Sequence, residues 1–242
     1  MRLLILFILA SFLSPLQAAT NVSAAGTLNK SGETYTLLQN ITTDGTAFTV
    51  SGNNITFDLN GNTITYNNKS AGAGIVVSGS NNVIKNGYIV QGANRSGTSP
   101  AVLVTGSGDS NTIEYLGIKV DGHVAGQDNY AAGVETYSAR TNVHHVFIEN
   151  NGDTSDTSYS PRGIHADHRT TAGFTFNDNI ILGSHLGISL TFVGLSTAAP
   201  AKSKIYNNYI QHHRIPGTKA PYGIRLAKTR NVDIYNNQIV TD

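Results

Sequence analysis

The chain of 242 residues contains no cysteine. Disulfides and thiolate metal sites are therefore excluded. Charge is also scarce, at 13% of residues. That scarcity suits strands and turns and argues against long helices. Neither sign is in excess, with 16 Lys and Arg against 15 Asp and Glu. Without Arg2 the counts become 15 and 15, so nothing draws the chain generally to nucleic acid or anionic membranes. After Leu13 no stretch is long and apolar enough to cross a bilayer.

What is present begins with a leader. Met1-Arg2 precedes the apolar run Leu3 to Leu13, and Pro15-Leu16-Gln17-Ala18-Ala19 supplies small residues. Residues 1–19 read as a secretory signal peptide, so the protein is expected to be secreted, extracellular or periplasmic.

The rest of the chain repeats. Phe48, Ile75, Val102, Val134, Ile164, Ile188 and Ile224 each open a short alternating strand, at spacings of 27, 27, 32, 30, 24 and 36. Gly74, Gly133, Gly163, Gly187 and Gly223 precede five of them; Ala47 and Ala101 precede the others. A second apolar column runs Ile64, Ile89, Ile118, Ile148, Ile181, Ile210, Ile239. A third, rich in asparagine, runs Asn86, Tyr115, His145, Asp178, Asn207, Asn236. Short β-branched strands at fixed positions, with insertions of variable length between them, predict an all-β, right-handed parallel β-helix of about seven rungs. Residues 20–46 are expected to cap its N-terminal end, and residues 47–242 to form the coil. The last strands, with inward Ile224, Leu226, Val232, Ile234 and Ile239, have no capping repeat after them. They are expected to leave an open lower face, and the coil to be incomplete at its C-terminus.

Asp58-Leu59-Asn60-Gly61 followed by Thr63-Ile64 resembles the opening rung of secreted proteins of the pectate-lyase-like β-helix superfamily. The resemblance covers most of the mature chain and implies the fold. The superfamily includes lyases, hydrolases, epimerases, esterases, tailspikes and adhesins, so it implies no single activity.

Chemistry concentrates from the fourth copy onward. The residue after each inward apolar one points outward. That column holds Glu135, His165, Ser189 and Arg225, and the next outward column Tyr137, Asp167, Thr191 and Ala227. Rungs stack about 4.8 Å apart, so the two columns form one patch. Arg162 to Arg169 is the richest segment, with His165, Asp167, His168 and two arginines. It resembles a rung of secreted mannuronan (alginate) epimerases of the form Gly-Ile-Asp-Pro-His-Asp-Arg. Gly163, Ile164 and Arg169 match; His165, Ala166, Asp167 and His168 stand where the family has Asp, Pro, His and Asp. No catalytic role is carried over from it.

Removing the proton beside a uronate carboxylate needs a cation for the carboxylate, a base and an acid. Arg225, Arg162 or Arg169 can hold the carboxylate as a fork. His165 is the expected base, Tyr137 the acid, and Asp167 or Glu135 the residue that orients His165. Lys228, His168, His212 and Arg214 are further candidates for binding substrate. Glu135 and Asp167, about 8 Å apart on backbone spacing, also fit the separation of inverting glycosidase carboxylates. His145 is expected to be structural. No cofactor is implied, although a Ca2+ ion is conceivable in the loop from Glu149 to Asp156 through Asp153 and Asp156. The expected partner is an extracellular polysaccharide, processed by β-elimination or epimerisation. Inverting hydrolysis and non-enzymatic adhesion are the alternatives.

Overall fold

The computed structural model describes residues 19–94, 98–121, 131–151, 161–167, 173–195, 201–212 and 221–241. Among these there are 23 strands and no helix. All the strand pairs are parallel, and they make a 15-stranded and an 8-stranded sheet. The protein is a parallel β-solenoid. Counted as turns it amounts to about five rather than the expected seven. Each of the seven copies nevertheless places its first strand in the smaller sheet, which also receives Gly26–Leu28. Residues Thr20–Val22, Thr34–Leu37 and Ile41–Thr42, in the segment expected as a cap, pair into the larger sheet. The expected leader falls outside the described residues apart from Ala19.

The registers follow the sequence columns. Phe48 pairs with Ile75, then in turn Val102, Val134, Ile164, Ile188 and Ile224. The second column runs without a slip from Ile41 to Ile239. A one-residue slip would turn every apolar side chain outward, which is why alternation fixes register here. Except at the last strands, both columns lie in one continuous buried core.

The glycine column has a packing cause. A Cβ on Gly163 would meet the Gly187 carbonyl oxygen and Ile181 Cγ2, both at 2.5 Å. One on Gly187 would meet the Gly223 oxygen and Ile210 Cγ2 at the same distance. The second apolar column thus occupies the space that a side chain in the first would need.

The asparagine-rich column is a turn column. Asn86, Tyr115, His145, Asp178, Asn207 and Asn236 all take left-handed backbone, with φ from 51° to 60°. Asn and Asp tolerate that region better than other residues with a Cβ. His145 accordingly belongs to a structural ladder. The residue after this column does more than sequence reading predicted. Asn179 Nδ2 donates to Asn208 Oδ1, and Asn208 Nδ2 to Asn237 Oδ1, each at 2.9 Å. The same Asn208 and Asn237 oxygens also accept the backbone N–H groups of Asn179 and Asn208, respectively.

At the last strands Leu226, Ile234 and Ile239 are 45%, 43% and 47% exposed, although they face the coil interior.

Candidate functional site

The smaller sheet carries the candidate site. Strands Ala132–Thr136, Arg162–Asp167, Leu186–Thr191 and Tyr222–Ala227 lie side by side. Glu135 pairs with His165, His165 with Ser189, and Ser189 with Arg225. Asp167, Thr191 and Ala227 form the second outward column. Tyr137 continues that line one residue past Thr136, its N–H donating to the Val104 carbonyl. The five expected catalytic residues therefore share one face, carried by three strands far apart in sequence, with Tyr137 directly after the first of them.

Their environment differs from expectation. The patch was expected to face solvent. Instead Glu135 is 1% exposed, His165 4% and Ser189 0%, while Tyr137 is 37% exposed. Arg162, Asp167 and Arg225 are half-buried. Alternation put these side chains outside the coil core, but the middle of the face is covered.

Glu135 and Tyr137 form a pair: the Tyr137 hydroxyl donates to Glu135 Oε1 at 2.7 Å. Outward positions two apart on a strand lie about 6.7 Å apart, so a tyrosine reaches back to a glutamate with its hydroxyl. His165 Nδ1 lies 3.1 Å from the Ser189 carbonyl oxygen. A carbonyl only accepts, so Nδ1 carries the proton, and in the neutral ring Nε2 carries the lone pair. Burial, then the positive charges of Arg162 and Arg225, push the His165 pKa down to about 3, while the bond to Ser189 works against this. His165 is thus a neutral imidazole at physiological pH. A backbone carbonyl thus holds the Nδ1 side of the ring. Ser189 Oγ, between His165 and Arg225 in the ladder, is buried with no hydrogen-bond partner. Sequence reading gave Ser189 no role.

A cavity of about 360 Å³ adjoins this ladder. Val76 and Leu103, which precede Glu135 in the same outward column, line it together with Glu135 and Tyr137. Thr46, residues 71–73, Thr98 and Pro100 complete the lining. The second and third copies, chemically bland in sequence, therefore extend the site as an apolar floor.

Two expected binding residues lie elsewhere. His212 ends the strand Tyr209–His212 in the other sheet, where it is buried in the same parity as inward Ile210. Its Nδ1 contacts the Ser184 carbonyl, and burial lowers its pKa. Lys228 is exposed in the turn after Ala227, its ammonium 5.0 Å from the centre of the Phe192 ring. His168, Arg169 and Arg214 lie outside the described residues, as do Asp153 and Asp156. Among the described residues no group of three His, Asp or Glu side chains could hold a metal ion.

No family model, curated protein or solved structure matches this chain.

Proposed function

We propose that this is a secreted protein acting on a uronate-containing polysaccharide by β-elimination or epimerisation. The observation that carries the reading is the ladder itself. A neutral imidazole, under the positive charges of Arg162 and Arg225, lies one strand from a tyrosine–carboxylate pair at a cavity of substrate size.

Each group has a task in that chemistry. Arg225 pairs with the uronate carboxylate and stabilises the charge that spreads onto it as the neighbouring proton leaves. His165 is the base through Nε2, because Nδ1–H is engaged with Ser189, and the incoming uronate carboxylate offsets the positive charges of Arg162 and Arg225 that, after burial, hold its basicity down. Tyr137 donates to the departing oxygen in elimination, or returns a proton to the opposite face in epimerisation. The cavity, lined by Glu135 and Tyr137, is the approach to the ladder.

A second reading, non-enzymatic polysaccharide binding, is favoured by the near-complete burial of Glu135 and His165. The test is one assay on the secreted chain with a panel of acidic polysaccharides. New absorbance from unsaturated uronate, or inverted uronate stereochemistry, is expected. Reducing ends without either would assign hydrolysis, with Glu135 and Asp167 as the carboxylate pair. Binding with no covalent change would leave the adhesin.

A further inference from the structure

The larger sheet carries a histidine pair that the ladder on the smaller sheet does not involve. Glu114 pairs in register with His144, and the turn column adds Tyr115 and His145 directly after them. Adjacent residues of a strand point to opposite faces. His145 escapes that rule because its backbone is left-handed, at φ 53°. Its ring comes round to the side of His144, and the two Nδ1 atoms lie 2.9 Å apart.

Neighbouring copies hold the two rings. His144 Nε2 lies 3.1 Å from Glu114 Oε2. An ionised carboxylate only accepts, so Nε2 carries the proton and the lone pair of neutral His144 is on Nδ1, facing His145. Tyr115 stacks on His145 with 5.0 Å between ring centres and meets His144 edge-on at 5.9 Å. Asp178, one copy on, sets a second negative charge acting on both imidazoles. The turn column holds Asn or Asp at Asn86, Asp178, Asn207 and Asn236, and departs from them at Tyr115 and His145, the two residues that build the pair.

We infer that His144 and His145 together bind a divalent transition-metal ion of tetragonal preference, Cu(II) before others, through their two Nδ1 atoms. A ligating histidine usually donates its other ring N–H to a carboxylate, and Glu114 stands in that place for His144. The spacing selects the ion. Two nitrogens about 2.0–2.1 Å from one ion are about 2.8–3.0 Å apart at a right angle and about 3.3–3.4 Å apart at the tetrahedral angle. The observed 2.9 Å fits the right angle, which suits Cu(II) and Ni(II), whereas Zn(II) favours the tetrahedron. Cu(II) also has the highest affinity of these ions for a given nitrogen site. Without the ion, His145 Nδ1–H donates to His144 Nδ1. With it, a tilt of both rings brings the lone pairs to one point, and the His145 proton moves to Nε2, so both imidazoles stay neutral. His145 is exposed, which gives the ion its entry. Among the described residues no group of three His, Asp or Glu side chains could hold an ion, so the site is a two-histidine one whose other positions water takes.

The experiment is independent of any polysaccharide. The secreted chain is titrated with Cu(II) and followed by electron paramagnetic resonance. Other histidines in the chain can also take up copper, so variants assign the site. His145→Asn places in the turn column the residue found at Asn207 and Asn236, and His144→Asn the residue that follows it in its own strand column, Asn177. Both variants are expected to fold, with melting curves as the check. The wild type should bind one Cu(II) per chain with a tetragonal, nitrogen-ligated spectrum, and each Asn variant should lose that spectrum. Glu114→Gln should keep the spectrum and weaken binding by about tenfold or more. Zn(II), titrated in competition, should displace Cu(II) poorly. The inference fails if no stoichiometric Cu(II) binds, or if the same spectrum persists in both folded Asn variants. Zn(II) binding as tight as Cu(II) would overturn the geometric selection.

Discussion

The imidazole of His165 is held by the backbone of its neighbouring strand: Nδ1 lies 3.1 Å from the Ser189 carbonyl oxygen. The bond fixes which ring nitrogen can act as a base. It also makes His165 part of the packing, since the residue is 4% exposed.

His165→Ala should therefore cost stability as well as activity. It leaves a cavity and removes a partner from a buried carbonyl, for a loss of about 1–3 kcal/mol. Arg225→Ala, at a half-buried position, should cost less than about 1 kcal/mol and still abolish turnover. Denaturant unfolding beside the uronate assay separates the two effects. Full activity in both variants would remove these residues from the mechanism.

The pH dependence has a definite sign. The His165 pKa falls from 6.5 to about 3 in the folded protein, first through burial and then through Arg162 and Arg225. Between those values the unfolded chain binds a proton that the native state refuses. The contribution is fully present above pH 6.5 and is lost at about 1.4 kcal/mol per pH unit as the pH falls toward 3. Burial also lowers the pKa values of His144 and His212, which act in the same direction. Stability measured from pH 7 to 4 should fall more steeply in the wild type than in His165→Gln. Parallel curves would contradict a neutral His165.

Tyr137→Phe removes one hydroxyl and leaves the ring. Glu135, buried, then loses the 2.7 Å bond from that hydroxyl. The expected cost is about 1–3 kcal/mol in stability. If Tyr137 is the acid, turnover falls by roughly 10²–10⁴. A stability loss with unchanged turnover would confine Tyr137 to holding Glu135.

Asn208 joins two strands of its ladder, with Nδ2 bound to Asn237 Oδ1 and to the Phe176 carbonyl. Asn208→Leu leaves buried donors and acceptors unpaired on both sides, and should cost about 2–4 kcal/mol. Asn86→Leu, at an exposed turn position, should cost less, chiefly through its left-handed backbone. Equal losses would show that backbone conformation matters more than the ladder.

Gly187→Ala should destabilise by about 1–3 kcal/mol through overpacking. The new Cβ would meet a carbonyl oxygen and Ile210 Cγ2 at 2.5 Å. Gly26→Ala, where nothing lies within 4 Å, is the control and should change little. Melting curves of the two variants decide it.

The sequence by itself determined the solenoid and its registers. A strand has a side-chain period of two, and only one parity can be apolar and buried. Phe48, Ile75, Val102 and their successors had to stack, and Glu135, His165, Ser189 and Arg225 then had to share the opposite face. Parity says which face a side chain takes and nothing about what lies over that face. Only the tertiary structure decided that Glu135, His165 and Ser189 are buried, because exposure depends on everything packed around a face and parity counts positions along one strand. It alone brought residues 71–73 and Pro100 over Val76 and Leu103 to make the cavity, since loops of unequal length carry no period. It also placed His212 in the interior of the other sheet, where a sequence count could not distinguish the last inward strand position from the first residue of a loop.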